Sequence, residues 1–388
     1  FILREIMEMR TRGLPALIVS LKSPGGPVLH GDVERLLPET IYRSWSGPGV
    51  LKDNLVLLAS KPRLYLKTLC RFAALHTKRP WEMMKALAAW PKTVSFAAEL
   101  RRRHVRHIHA HWATIPAACG LAMSRLVPCA FSFTAHAYDI YGIPTSLAEK
   151  LKAARFVATC TGRNKQYLDS LVPEPVRSRI HLVRHFLPDP SLEKEVEKTI
   201  PPVVICVGSL ESYKGHDILI RAAGILRRKG VEFQIRIIGG GPREGELRAL
   251  IQSLSLDDCV ILTGPQPQES VFQEMARARV FAIASRSGKI GDNLPNVLVE
   301  ASLLNVPCIA TDIGSINELI VDGETGLLIP ADEISAMADA LEKILSDRGL
   351  GERLAARARV RALEMFDLSK NAGLLEDLFR ASLEKAAE

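Results

Sequence analysis

Val203-Val-Ile-Cys-Val-Gly208, followed by Ser209-Leu-Glu-Ser-Tyr-Lys214-Gly215-His-Asp, runs from a continuous apolar stretch through a glycine and a short polar turn into a helical segment from Ile218. An apolar run without alternation reads as a strand buried on both faces, the kind found in parallel sheets. The unit recurs downstream in Phe233-Gln-Ile-Arg-Ile-Ile-Gly-Gly-Gly, Val260-Ile-Leu-Thr-Gly, Val280-Phe-Ala-Ile-Ala and Pro307-Cys-Ile-Ala-Thr, each followed by a helical segment. Strands alternating with helices predict a doubly wound α/β domain whose ligand groups lie at the carboxyl ends of its strands.

Upstream the pattern appears a first time, in Ala16-Leu-Ile-Val-Ser, Ile108 to Trp112, Ala130-Phe-Ser-Phe-Thr, Phe156-Val-Ala-Thr-Cys and Ile180-His-Leu-Val. Between the two sets, Phe186 to Pro202 holds four prolines among alternating charges, the composition of a connection. The expected organisation is an N-terminal domain over 1–190, a linker over 191–202, a second domain over 203–360 and a helical segment over 361–388 that packs back on the first. A chain of 388 residues exceeds the size at which one core keeps growing, which agrees with two domains. The start is unusual: Phe1 to Arg12 reads as a helix, whereas a doubly wound domain normally opens with a strand. Either the fold begins unusually or a first strand and its loop are missing.

Hydrophobic and charged fractions of 47% and 24% are those of a globular protein, and exclude disordered and collagen-like classes. No apolar run approaches the roughly 18–20 residues needed to span a bilayer, and the charged opening is no secretory signal. Seven cysteines without a C-x-x-C pair fit a reducing compartment. These features place the protein in the cytoplasm, or peripherally on the inner face of the cell membrane. The net charge of +8 is unevenly spread: residues 1–190 hold 28 Lys+Arg against 13 Asp+Glu, and residues 191–388 hold 23 against 30. A basic half attracts phosphorylated substrates, anionic lipid or nucleic acid alike. Lys78-Arg79 and Arg101-Arg102-Arg103, near Trp81, Met83, Met84, Leu87 and Trp90, favour contact with an anionic membrane surface. No zinc-finger spacing, RNP-like aromatic motif or zipper accompanies the charge, so nucleic acid is not expected.

Four segments carry candidate chemistry. Gly208 and Lys214 bracket the turn after the Val203 strand, where a lysine beside helix-terminal amides can hold a diphosphate. Gly240 and Gly241, before Pro242, would let backbone amides approach a ligand closely. Neither loop is G-x-G-x-x-G or a Walker loop, so nicotinamide and P-loop readings lose support; each could also be an ordinary turn. Gly291-Asp292-Asn293-Leu294-Pro295-Asn296-Val297-Leu298-Val299-Glu300 sets Asp292 in a loop and Glu300 in the next helix. Carboxylates there can accept hydrogen bonds from sugar and ribose hydroxyls while the amides of Leu294, Asn296 and Val297, after Pro295 just inside the helix start, meet phosphate. A capping Asp and a solvated Glu are the plainer alternative. His136, in Phe131-Ser-Phe-Thr-Ala-His136-Ala-Tyr-Asp139, follows a strand, a position for a ligand-facing or a satisfied core histidine. His107, His109 and His111 would share one strand face, yet no cysteine or carboxylate cluster accompanies them, so no metal site is assigned. No Asp-x-Asp occurs, which argues against a metal-bridged diphosphate.

Taken in order, Val207-Gly-Ser-Leu-Glu-Ser-Tyr-Lys-Gly, Ile237-Ile-Gly-Gly-Gly-Pro, Asp292 to Ala301 and Ala310-Thr-Asp-Ile-Gly to Gly326-Leu-Leu-Ile-Pro resemble the retaining glycosyltransferases of family 4. The resemblance runs from Phe1 to about Pro330. It implies the GT-B architecture: two Rossmann-like domains of doubly wound parallel sheet facing a cleft. The opening residues, His109-Ala-His-Trp-Ala and Phe133-Thr-Ala-His-Ala-Tyr-Asp-Ile are similar to bacterial exopolysaccharide and colanic-acid-type members, for which a glycan or lipid-linked acceptor is usual. By that resemblance a hexose moves from a UDP- or GDP-sugar with retention, and with no metal or other cofactor. Lys214 would bind the diphosphate, Glu300 the ribose, Asp292 and the backbone after it the sugar, and His136 would face the transferred sugar. The chain departs from the family at Ser209, where arginine is usual, so that one diphosphate contact is lost unless Arg286 or another cation substitutes. It departs also at Asn293 and Phe186, where glycine is usual, and at Asp292, where glutamate is more frequent. A GT-B-shaped UDP-sugar epimerase and a non-catalytic nucleotide-sugar-binding protein are the alternatives.

Overall fold

In a computed structural model the apolar runs become parallel strands. Described are residues 2–23, 31–44, 46–185, 187, 198–288 and 293–384, without the side chains of 31–33. The chain divides into two compact units, 1–186 with 368–388, and 187–367. The sequence set these breaks at 190/203 and 360/361.

In the first unit, among the described residues, β1 (Val19–Ser20) pairs with β2 (Ile41–Tyr42) alone, as a separate two-stranded sheet. The expected strand over Ala16–Ser20 is therefore two residues long and outside the main sheet. The chain before it is helical over Ile2–Thr11, as its pattern required. The main sheet runs β3 (His107–His111), β4 (Ala130–Ala135), β5 (Val157–Thr159) and β6 (Ile180–Leu182), all parallel. All six residues of β4 are buried, its polar Ser132 and Thr134 included, and those two hydroxyls are hydrogen-bonded to histidines of β3. Three long helices precede this sheet, Pro48–Ser60, Pro62–Ala74 and Pro80–Arg102. Each begins at a proline, whose missing N–H costs nothing in the first turn.

The second unit carries six parallel strands in the order β12 (Leu327–Ile329), β11 (Cys308–Thr311), β10 (Val280–Ile283), β7 (Val203–Val207), β8 (Gln234–Ile238), β9 (Val260–Gly264). β7 sits between β10 and β8, where the winding direction reverses; in such sheets the carboxyl ends beside the reversal are the place for a ligand. Helix His216–Arg228 follows β7 and buries Ile218, Leu219, Ala222, Ala223 and Leu226, spaced by one helical turn, against the sheet.

Helix Arg348–Phe366 closes the second unit, and Asp367 breaks it from helix Leu368–Glu384, which belongs to the first. There Ala372 and Leu375 join Met9, Phe156, Ala158 and Val183 in a small separate core. Asn371 accepts the Arg184 N–H (3.1 Å), and Ser382 is hydrogen-bonded to His107 (2.9 Å). Of the described residues, no helix is long and apolar enough to cross a membrane.

Candidate functional site

The loops after β7 and β8 are laced together through their backbones. The Gly208 N–H donates to Ile238 O (3.0 Å), Leu210 N–H to Gly240 O (3.0 Å), and Arg243 N–H to Leu210 O (3.2 Å). Approach this close leaves no room for side chains: a Cβ on Gly241 would press on the Leu210 backbone at 2.7–2.9 Å. Gly239, not singled out from the sequence, is tighter still, since at φ +149° its Cβ would overlap the Gly208 carbonyl. A Cβ on Gly240 would meet only the Pro265 ring, at 3.2 Å. Gly208 serves a different end. The Lys214 stem crosses directly over it, with Cδ and Cε 3.5 Å from where a Cβ would stand.

Lys214 ends a 3-10 turn, Ser212–Lys214, and its Nζ lies 5.3 Å from the centre of the Tyr213 ring. Gly215 then reverses the chain at φ +65° to cap helix His216–Arg228; a Cβ there would overlap the Ala284 carbonyl. The first two residues of that helix fix the turn. His216 Nε2 donates to Ser209 O (3.0 Å), and burial holds its ring pKa below the usual imidazole value. Asp217 receives Arg286 (2.9 and 2.7 Å) and Arg243 (3.2 Å). Burial opposes its ionisation, but the two guanidiniums outweigh it and hold the carboxyl below its usual range. Arg286 also binds Ser212 O (3.0 Å) and Asp332 (2.7 Å). The sequence left Arg286 as a substitute for the arginine that Ser209 replaces. Its guanidinium is instead spent on tying the β10 and β7 loops together.

After β10, Asn293 O accepts the Ser315 N–H (2.8 Å), and helix Asn296–Leu303 begins behind Pro295. Pro295 occupies the cap at ψ 132°, one place before the helix and not inside it as the sequence implied. The first-turn amides of Asn296 and Val297 open this helix, at the positive end of its dipole. Glu300 is 8% exposed on this helix, and Gln268, at the start of the preceding helix, reaches its carboxylate at 3.4 Å. Asp292 lies outside the described residues. Gly208, Lys214, Gly240, Gly241, the Leu294–Val297 segment and Glu300 all follow the carboxyl ends of β7, β8 and β10, flanking the reversal of the second sheet.

In the first unit, His136 follows β4 and is 8% exposed. Burial pushes its pKa well down, and His185 and His111 add to the effect, so the ring is neutral near pH 7. It lies 5.8 Å from the Trp112 ring and 5.6 Å from that of His185. One carboxylate, Asp139, fixes two strand exits: it accepts the N–H of His136 (2.8 Å) and that of Ala113 after β3. Lys150 grips the same place, donating to Ala113 O and to Thr145 (2.9 Å). Burial raises Asp139 to about 6 and lowers Lys150 to about 7, each partly countered by the other's charge. Neither Asp139 nor Lys150 carries a local motif for this role, because the Ala113 they share lies 26 and 37 residues away. The strand histidines meet hydroxyls: Ser132 bonds both His107 (2.6 Å) and His109 (2.7 Å), and Thr134 bonds His109 (2.9 Å). Ligand atoms of Glu5, His109 and His111, and of His136, Cys160 and His185, gather within 4.8 Å in each set. Concave pockets of ≈ 460 and ≈ 480 Å³ lie elsewhere in the first unit, one lined by Arg43, Lys52 and Arg102 and the other by Arg10 and Pro15.

Residues 189–361 match the family described as Glycosyl transferases group 1. The putative colanic acid biosynthesis glycosyltransferase WcaL of Salmonella typhimurium is 33% identical over 171 residues, 43% of this chain and 42% of its own. A GDP-mannose-dependent alpha-(1-6)-phosphatidylinositol monomannoside mannosyltransferase of Mycolicibacterium smegmatis is 30% identical over 200 residues, 50% of this chain and 52% of its own. The chain thus spans about half the length of the curated relatives it matches. Among solved structures, a glycosyltransferase from Rickettsia africae superposes with TM-score 0.70 at 16% identity, over 98% of this chain and 95% of its own. Anabaena HepE in complex with UDP gives 0.63 at 16% identity, over 75% and 82%. The fold is that of these GT-B glycosyltransferases: α/β, with a Rossmann-like parallel sheet in each unit.

Proposed function

We propose that the protein, whose residues 189–361 match the Glycosyl transferases group 1 family, moves a hexose from a UDP- or GDP-sugar to a hydroxyl of a glycan or lipid-linked acceptor, with retention at the anomeric carbon. The observation that carries this reading is the convergence of Lys214, the two glycine loops and the helix of Glu300 at the reversal of one parallel sheet. Synthesis of surface or exopolysaccharide at the inner face of the membrane fits the likeness to WcaL.

In this proposal Lys214 and the closely packed backbone of Gly208, Gly240 and Gly241 hold the diphosphate. The Glu300 carboxylate accepts hydrogen bonds from the ribose hydroxyls. Asp292 and the backbone of Leu294 to Val297 hold the sugar. The bond from the anomeric carbon to the diphosphate oxygen breaks as the acceptor oxygen bonds the same face, and the acceptor proton passes to the departing phosphate. Lys214 and the helix-terminal amides then stabilise charge as it builds on that phosphate. His136, neutral and fixed at its backbone by Asp139, offers the sugar a hydrogen bond without adding charge beside an oxocarbenium-like carbon. The sequence contains no Asp-x-Asp, and no metal is assigned a part in this scheme.

Thermal shift of the full chain with UDP-, GDP- and ADP-sugars tests the donor site, because a ligand that binds the folded state raises its apparent stability. A shift with one nucleotide, lost in Lys214→Ala and Glu300→Ala, is the expected result. Release of an epimerised sugar without acceptor would replace transfer by epimerisation. Nucleotide binding with no turnover over a broad acceptor panel would leave a binding protein.

A further inference from the structure

Helices Pro48–Ser60 and Pro62–Ala74 and the first turns of Pro80–Arg102 are packed on one side and bare on the other, while the rest of the third helix is largely buried. Inside, Trp90 sits between Tyr65 and Phe72, each 5.4 Å away between ring centres, and Asn54 ties the first helix to the third through Pro91 O (3.0 Å). Outside, Leu51, Leu55, Val56, Leu66, Trp81 and Met84 are 51–66% exposed. Of the fourteen exposed large apolar side chains among the described residues, eight lie on these three helices, so the exposure is concentrated and not scattered. A concentrated apolar surface marks an interaction site.

Its charge selects the partner. Residues 48–90 contain eight Lys+Arg and two carboxylates, Asp53 and Glu82. Glu82 is buried and bonded by Lys85 (2.8 Å), and Asp53, half-buried, accepts from Ser95 (2.6 Å). Lys52, Lys61, Arg63, Lys67, Lys78 and Arg79 are all exposed. Apolar groups interleaved with cations and no exposed acid are the composition of a face that lies in an anionic lipid interface. Lys85 stands 5.7 Å over the Trp81 ring, an arrangement suited to the headgroup level. A second copy of the chain would bring the same cations face to face, and nucleic acid would leave the leucines uncovered.

We propose that the outer face of these three helices docks on an anionic lipid bilayer, with Leu51, Leu55, Leu66, Trp81 and Met84 in the headgroup region and the flanking lysines and arginines on lipid phosphates. The face lies in the first unit and its occupation does not depend on what the second unit binds. Flotation of the full chain with phosphatidylcholine vesicles, and with vesicles also containing phosphatidylglycerol, tests it at low and high salt. Binding at least about tenfold stronger to the anionic vesicles, and weakened by salt, is the expected result. The pairs Leu55→Ser with Trp81→Ala, and Lys61→Gln with Arg63→Gln, should each lower it about tenfold. Both pairs are exposed, so thermal midpoint and nucleotide-induced shift should stay at the parent values, which separates this docking from the donor site. Equal binding to both vesicle types, absence of flotation, or undiminished binding by both pairs would overturn the proposal. So would a dimer that Leu55→Ser dissolves in a protein that does not float.

Discussion

Gly215 shows how a single residue carries the turn that follows β7. Its φ of +65° and the Ala284 carbonyl beside it leave no place for a methyl group. Gly215→Ala should cost about 3 kcal/mol or more, adding backbone strain to overlap, and denaturant titration of the full chain would measure it. Arg286→Gln separates two tasks for that arginine. It frees Asp217 from its strongest partner, so stability should fall by about 1–3 kcal/mol, while nucleotide affinity stays within about twofold because the guanidinium is already spent. Lys214→Ala should instead weaken nucleotide binding about 10- to 100-fold, measured as nucleotide affinity by titration of the folded variant. The glycines, Lys214 and Glu300 were legible because their spacing after apolar runs is local. That Gly239 is the tightest of three glycines was not, because the obstacle is the Gly208 carbonyl of another loop.

Among the elements, β3 carries buried groups that make stability depend on pH. His107, His109 and His111 do share a face, with Ile108 and Ala110 on the other, as alternation requires. Their partners could not be read from spacing: Ser132 and Thr134 are brought opposite by the register of β4, and Ser382 by a helix 275 residues away. Burial lowers His107 to about 4 and also holds His109 well below the usual imidazole value. A folded-state pKa below the unfolded value of 6.5 means that the unfolded chain takes up protons first on acidification. Stability is therefore fully present above about pH 6.5 and lost as pH falls toward 4, by about 3 kcal/mol for His107 alone. Melting temperatures across pH 4–8 should be flat at the upper end and fall steeply below 6.5. His107→Asn should flatten that fall, although its folded stability at pH 7 drops. The short β1 shows the opposite limit of pattern reading, since Ala16 to Ser20 is apolar enough for a strand but pairs over only two residues, with β2.

At the scale of the whole chain, strand–helix alternation made two Rossmann-like sheets legible, and the proline-rich stretch before Val203 marked their junction. The strand order was not, because it depends on which crossover goes to which edge. Nor was the exact return point, since helices Arg348–Phe366 and Leu368–Glu384 are compositionally alike and only the turn at Asp367 separates them. Ending the chain at Asp367 removes Ala372 and Leu375 from the core around Phe156 and Val183. Amide exchange along β5 and β6 should then quicken about 10- to 100-fold, while nucleotide binding by the second unit persists.

The return of residues 368–384 to the first unit also orders events at the ribosome. The first unit is synthesised first yet cannot close the core around Met9 and Phe156 until its last helix emerges, after the whole of 187–367. The second unit is contiguous and has everything it needs before that moment. The contiguous unit can therefore finish before the one begun earlier, and a stop codon between Asp367 and Ala372 spares the younger unit while leaving the core around Met9 and Phe156 unsealed.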